Sequence, residues 1–345
     1  MKKVAFIITK SEVGGAQTWV RDQIKLFDGE IEPIIITNQQ GWLSESLPDV
    51  QCVYVPKIES RFSITALLAI IKAIKLNKID IVIASSANAG LYSRLAKVFT
   101  RFRCVYVSHG WSCLYNGGLM KVVFTRVERL LSLLTDTIWC VSQRDYELAE
   151  KSLHISSSRL SLARNAIFVH PIKNCSKNHQ DTSNKLHLLA VGRLAHPKRF
   201  DLLINAVKDL ENVKLTIVGD GPNRERLHHY NFDNVHFLGE IKGFSDYQSY
   251  DAFILISDSE GLPMSALEAG INQLPMILSD VGGCHELIDT TNPNGILVSN
   301  TVIDIVNGIE QLISIKSEFK KNAKTKSNDF DIKEYKSLYK KIIFG

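Results

Sequence analysis

The sequence predicts an α/β protein built as two doubly wound, parallel-sheet domains. Short β-branched runs alternate with longer amphipathic stretches, the pattern of βαβ units, and the alternation breaks once, over residues 170–184, before restarting. At 345 residues the chain is long enough for two domains that each bury a core, and a content of 45% hydrophobic and 22% charged residues excludes a disordered chain.

A first strand is read over 4–9 (VAFIIT) and a helix over 15–27 (GAQTWVRDQIKLF). Strand PIIIT (33–37), helix SITALLAIIKAIKLN (63–77) and strand IDIVIASS (79–86) follow. RCVYVSH (103–109) and TIWCVS (137–142) are further strands, and QRDYELAEKSL (143–153) is a helix. Continuous apolar runs of this length suit strands covered on both faces. HPIKNCSKNHQDTSN (170–184) is polar, contains a proline and has no period, so it is read as a linker between a domain 1–169 and a domain 185–332. In the second domain LHLLAVGRL, KLTIVGDGP, VHFLGEI, AFILIS and PMILSD are the strands, with RFDLLINAVKDL and NRERLHHY as helices among them.

The net charge of +5 is unevenly spread. Residues 1–169 hold 21 Lys and Arg against 14 Asp and Glu, and the remainder holds 20 against 22. A basic front half suits nucleic acid or anionic lipid, and equally a plain solvated face. Six scattered cysteines, with no C-x-x-C pair and no His at zinc spacing, fit a reducing cytosol and no structural metal. The start, MKKVAFIITKSEVGG, is too short in its apolar run for a signal peptide, and no stretch reaches the roughly 18 apolar residues of a membrane span.

Ligands of doubly wound folds bind beyond the carboxyl ends of strands, so the chemistry is sought in those loops. Gly14-Gly15-Ala16-Gln17 opens a helix after the first strand, either as a bare turn or as a place where backbone amides approach an anion. His109 ends a strand, as a structural residue or, if other groups converge on it, a catalytic one. Arg193 and Lys198 follow a strand of the second half, a rigid fork and a mobile point charge suited to two adjacent phosphates. Gly219-Asp220-Gly221-Pro222 is a tight turn that lets a ligand come close. In EGLPMSALE, Pro263 suits the first turn of a helix, so amides near Gly261, Leu262 and Met264 form an anion site. Glu260 stands ahead of that turn and Glu268 lies about 7.5 Å along the axis from Pro263. Carboxylates so placed would accept from hydroxyls on either side of a bound diphosphate, and a nucleotide diphosphate sugar has both.

The series GGAQ, HG, NAI (165–167), GRLAHPK, GDGP, FLGEI, EGLPMSALEAG and GGCHELI (282–288), in this order, resembles the retaining glycosyltransferases of family 4, with the GT-B fold of two facing Rossmann-like domains and a cleft between them. The resemblance covers nearly the whole chain. It implies that Arg193 and Lys198 hold the diphosphate near the Gly14-Gly15 backbone, that Glu260 binds the transferred sugar and Glu268 the ribose, and that His109 lies at the reacting face. It places Gly239 and Ile241 by the base and Gly219 in the donor site. The last helix, 333–345, resembles the family's terminal helix that crosses back onto the first domain. Two departures leave donor identity open: NAI stands where a Gly often follows the Asn, and the loop after GRL is short.

The activity so implied is metal-independent, retaining transfer of a hexose or N-acetylhexosamine from a nucleotide diphosphate sugar, UDP-linked by expectation, to a glycan or lipid-linked acceptor of surface polysaccharide. No cofactor is implied. Asp329-Phe330-Asp331 lies far from any strand-end loop and is read as a chain crossing, not a metal site. A cytoplasmic location follows, with a peripheral contact on the inner face of the membrane as one use of GLMKVVFTRVERLLSLLT (118–135), where Lys121, Arg126 and Arg129 stand among large apolar residues. The alternative for that stretch is a core-packed helix with a wet basic edge. Rival functions are a nucleotide-sugar epimerase of the same fold and a non-catalytic sugar-nucleotide or nucleic-acid binding protein. No aromatic-basic interleaving supports nucleic acid, GDGPNR fails the dinucleotide fingerprint at its last glycine, and no nucleophile elbow is present. The oligomeric state is not legible.

Overall fold

A computed structural model of the chain describes residues 1–60, 62–115, 118–169, 185–230 and 232–345. Two compact units emerge, one comprising Met1–Asn165 with Ile332–Gly345 and the other Ala166–Asp331.

The first unit starts β1 (Lys2–Ile7), α1 (Gly15–Leu26), β2 (Ile31–Thr37), the single turn α2 (Trp42–Glu45) and β3 (Gln51–Tyr54). It continues with α3 (Ile64–Asn77), β4 (Ile81–Ala84), α4 (Ala87–Ala96), β5 (Arg103–Ser108) and the single turn α5 (Ser112–Tyr115). Then come α6 (Lys121–Ser132), β6 (Thr137–Cys140), α7 (Gln143–Lys151) and β7 (Leu160–Leu162). Among the described residues its strands form one parallel sheet in the order β3-β2-β1-β4-β5-β6-β7.

The second unit holds β8 (Leu186–Val191), α8 (Phe200–Val207), β9 (Val213–Val218), α9 (Arg224–His228) and β10 (Val235–Gly239). After these come β11 (Ala252–Leu255), α10 (Met264–Ile271), β12 (Met276–Ser279), β13 (Gly295–Val298), α11 (Val302–Ser314) and α12 (Lys316–Lys326). Its parallel sheet runs β10-β9-β8-β11-β12-β13. Both orders reverse direction next to the unit's first strand, between β1 and β4 and between β8 and β11. These are the topological switch points, where crossovers diverge to opposite faces and leave a crevice at the carboxyl ends.

The inner strands β1, β4, β5, β8, β11 and β12 match the apolar runs and are almost wholly buried, so packing on both faces explains their lack of alternation. The edge strands β3, β7 and β13 were not expected. β3 and β7 are partly exposed and mixed in character, so no continuous apolar run marks them, whereas β13 carries the apolar run Gly295–Val298, which the sequence reading passed over.

The chain leaves the first unit between Asn165 and Ala166, four residues before the boundary expected at 169. Ile167 forms an isolated parallel bridge with Asp331, and its N–H donates to the Phe330 carbonyl at 3.0 Å, which ties both crossing strands into the second unit. The expected linker 170–184 lies outside the described residues. The last helix, α13 (Ile332–Phe344), packs on the first unit. Tyr339 is fully buried against Trp139 with ring centroids 4.6 Å apart, and its hydroxyl donates to the Arg164 carbonyl. Arg103 donates to the carbonyls of Ile342 and Ile343, and Glu30 accepts from Lys336 and Lys340, both at 2.7 Å.

Candidate functional site

In the second unit, the loop after β8 lies along the end of β11. The Arg199 N–H donates to the Ile256 carbonyl, the Asp258 N–H to the Pro197 carbonyl, and Lys198 bridges Ser257 backbone to backbone. This docking carries Lys198 to Glu260, where its Nζ lies 2.5 Å from Oε1 with both side chains largely shielded from water. Two residues 62 apart in sequence thus meet at the β8/β11 switch point. A shielded pair of opposite charges is strongly coupled, and removing one partner leaves the other exposed to the desolvation cost.

A third loop fixes the Glu260 turn from behind. Gly282 adopts φ +56°, and a Cβ there would sit 1.7 Å from the Glu260 carbonyl oxygen. Only glycine fits, for both reasons. The Gly283 N–H donates to the Gly261 carbonyl at 2.8 Å. Cys284, beside this loop, is buried, and burial pushes its thiol up, away from nucleophilic use.

The helix α10 begins at Met264, so Pro263 is its N-cap and not a residue of its first turn. With no side-chain cap, the first amides of α10 lack intrahelical acceptors in the way common to helix starts. Leu262 and Met264 are buried, so any ligand here meets their backbone and not their side chains. Glu268, on α10, accepts from the Tyr247 hydroxyl at 2.5 Å. Burial and the adjacent carboxylate hold the Tyr247 phenol well above its usual range, so it stays a donor.

Gly219 is also required by the packing of its own turn. At φ +147° its missing Cβ would fall 1.9 Å from the Gly192 carbonyl oxygen, so the glycine lets the ends of β8 and β9 approach one another. Its N–H donates to the Gly239 carbonyl at 2.8 Å, which joins the loop at Gly239 to the same cluster, with Ile241 exposed on it.

A polar network that was not singled out from the sequence ties these loops together. Asn300 accepts from the Ser279 hydroxyl at 2.5 Å and donates to the Ser257 carbonyl and to Asp258, and the Ser257 N–H donates back to Ser279 at 2.9 Å. Asn300 follows the edge strand β13, which was not read from the sequence. The serines that close the apolar runs AFILIS and PMILS were the available signal.

In the first unit the ends of β1, β4 and β5 adjoin at the other switch point. Gly14 precedes α1, and Gln17 folds back to donate to the Lys10 carbonyl at 2.9 Å. His109 Nε2 lies 2.7 Å from the Ser85 hydroxyl, and the edge of Trp19 packs on the ring at 5.4 Å between centroids. Desolvation lowers the imidazole to about 4, so it is neutral at physiological pH. Ser85, at the end of a strand read correctly, was not singled out because a serine there has no distinguishing pattern. Lys198 and Glu260 thus meet in the second unit, which also carries Arg193 and Glu268, while Gly14, Gly15 and His109 belong to the first. Among the described residues no group of His, Cys, Asp or Glu is arranged to hold a metal ion.

Comparison with known proteins bears on this geometry. The profile described as Glycosyltransferase Family 4 matches residues 13–169, and that described as Glycosyl transferases group 1 matches residues 172–329. The chain is 44% identical, over all of both chains, to an Escherichia coli protein described as "O-antigen biosynthesis glycosyltransferase WbnH". It is 25% identical, over 96% of this chain and 93% of the other, to an Escherichia coli UDP-Gal:alpha-D-GlcNAc-diphosphoundecaprenol alpha-1,3-galactosyltransferase. Its fold superposes with a TM-score of 0.84 at 18% identity, over 99% of both chains, on the Anabaena protein Alr3699/HepE solved with UDP and glucose. The chain is a glycosyltransferase of the GT-B fold and belongs to family 4, the glycosyl transferases group 1.

Proposed function

We propose that the chain is a retaining, metal-independent transferase that moves a hexose or N-acetylhexosamine from a UDP-sugar to a lipid-linked glycan acceptor in O-antigen or related surface-polysaccharide synthesis. The observation that carries this reading is the Lys198–Glu260 pair at the β8/β11 switch point, behind the start of α10. A cation, a carboxylate and a helix start in one crevice suit a diphosphate with a hydroxyl-bearing sugar attached. The acceptor and donor classes are supported by the nature of the relatives, one assigned to O-antigen biosynthesis and one to a UDP-galactose donor with a diphosphoundecaprenol acceptor.

Lys198 neutralises Glu260. Donor diphosphate takes the ammonium, and the freed carboxylate accepts from sugar hydroxyls. As the bond between the anomeric carbon and the phosphate oxygen breaks, negative charge grows on the diphosphate. Arg193, Lys198 and the first amides of α10 stabilise that charge in place, the largest contribution such a site offers. The acceptor oxygen bonds to the same face of the anomeric carbon, and its proton passes to the leaving phosphate. Glu268 takes the ribose hydroxyls, held by Tyr247, and neutral His109 meets the sugar without a competing positive charge. No step calls for a metal. A lipid-linked acceptor places the protein at the inner face of the cytoplasmic membrane, as a peripheral protein.

The test is a thermal-shift series with UDP, GDP and ADP and their sugar conjugates, with chelator and with divalent metal, followed by turnover of Lys198→Ala and Glu260→Ala. UDP alone should stabilise the protein, equally with chelator. Each variant should lose at least about a hundredfold in turnover while melting cooperatively. Near-normal turnover in either variant, or stabilisation only with metal, would overturn the assignment.

A further inference from the structure

Lys198 and Glu260 have two tasks that conflict. While they are paired, their attraction holds the loop after β8 against the turn after β11. Once donor diphosphate takes the ammonium, that attraction no longer ties the two loops. A lysine ammonium rides on a flexible four-carbon stem, so its station depends on where the backbone beneath it is fixed. Keeping the ammonium and the carboxylate at a set spacing in the bound state therefore calls for a second tie, made by groups that the donor does not engage.

Such a tie centres on Asp258, two residues before Glu260. The residues on either side of Lys198 both bond to it: its N–H donates to the Pro197 carbonyl at 2.9 Å, and its carboxylate accepts from Arg199 Nη1 at 3.2 Å. From the loop after β13, Asn300 Nδ2 donates to the same carboxylate at 3.1 Å and to the Ser257 carbonyl at 2.9 Å. The Ser257 hydroxyl lies within hydrogen-bond distance of the Pro197 and Ser259 carbonyls, at 3.2 and 3.1 Å. On its other side, Arg199 Nε and Nη2 donate to the two oxygens of Asp201, in the first turn of α8, at 3.0 and 2.9 Å. All three guanidinium nitrogens thus face protein carboxylates, so Arg199 is not placed to grip phosphate as the neighbouring Lys198 is. Stability does not account for the cluster. The Arg199 and Asp258 side chains are 31% and 36% exposed, and ion pairs so open to solvent contribute little.

We propose that Arg199 and Asp258 are positioning residues for the transfer. Without touching substrate, they clamp the backbone of Lys198 to the turn of Glu260 while the donor holds those two side chains apart. The inference rests on the donor reading for what Lys198 and Glu260 bind. It gives the clamp a part in kcat and little part in donor affinity. A mobile ammonium still finds a diphosphate, whereas reacting groups misplaced by about 1 Å lose on the order of a hundredfold in rate.

The experiment is a double-mutant cycle on the full chain with Arg199→Met, Asp258→Asn and the two combined. The backbone bonds from Lys198 to Ser257 and from Arg199 to Ile256 are untouched by these changes, so all three variants should melt cooperatively. Release of nucleoside diphosphate, with water as acceptor, is followed from UDP-glucose, UDP-galactose, their N-acetyl counterparts, GDP-mannose and ADP-glucose. The cycle is run on the donor that the wild type turns over fastest. Each single variant should lose about ten- to a hundredfold in kcat, with KM for the donor changed by less than about threefold. The combined variant should lose no more than the larger single loss, because either change breaks the same clamp. Losses that multiply would show that the two residues act separately and would overturn the proposal. So would wild-type kcat in either single variant, whatever its urea midpoint. A raised KM at unchanged kcat in Arg199→Met would make the guanidinium a donor ligand and overturn it as well. Turnover of GDP-mannose or ADP-glucose with none of the UDP sugars would sink the donor reading alone, since the cycle run on that donor still decides the clamp.

Discussion

His109 is a titratable group whose environment the fold has changed, and the change has a measurable sign. Its ordinary value is 6.5, and burial beside Trp19 and Ser85 lowers it to about 4 in the folded chain. Between those values the unfolded chain holds the extra proton, so stability declines as pH falls from about 6.5 to about 4. His109→Gln, which keeps a polar contact for the Ser85 hydroxyl, should flatten that decline by up to one proton's worth of slope when urea midpoints are compared across this range. Equal slopes in the two proteins would show that His109 is not held neutral. At this scale the sequence was legible where chemistry needs an uncommon residue in a marked place. Lys198 and Glu260 stood out because a Glu beside a Gly-Leu-Pro turn and a Lys after a strand are seldom both demanded by packing. Ser85 and Asn300 did not, since a small polar residue at a strand end is ordinary until the neighbouring strand is known.

Elements were legible to the extent that burial leaves a trace in composition. The run AFIL of β11 and the run MILS of β12 are buried throughout, and the neighbours they pair with impose that apolarity. β3 carries Gln51 and an exposed Tyr54, so its pairing with β2 is set by register alone and leaves little in the pattern. The loop from β12 to Cys284 illustrates a further limit: GGC could be any turn until the Glu260 carbonyl is found in the place of the Gly282 side chain. Gly282→Ala is therefore expected to displace the Glu260 turn, lowering stability by about 1–3 kcal/mol for the unfavourable backbone alone. It should also reduce the UDP-sugar thermal shift more than the UDP shift, because Glu260 is assigned to the sugar. Equal loss of both shifts would place the loop's effect on the diphosphate instead.

The whole chain is not a simple tandem of halves, since α13 belongs to the unit that β1 begins. Tyr339 anchors it, buried between Trp139 and the Arg164 carbonyl. Tyr339→Ala should cost about 3–5 kcal/mol, the usual loss for a fully buried aromatic, and a urea midpoint unchanged within error would show that α13 adds nothing to the first unit. Domain count and the polar break were readable from one sequence, whereas this return was suggested only by resemblance, because no local pattern says where a terminal helix docks. The return also sets an order of events at the ribosome. Residues 1–165 leave the tunnel first, yet the surface around Phe27, Trp139 and Arg103 stays uncovered until α13 has emerged. Through synthesis of the entire second unit the nascent protein presents an open aromatic seam, so a chain cut short before α13 is a product that chaperones and proteases can recognise.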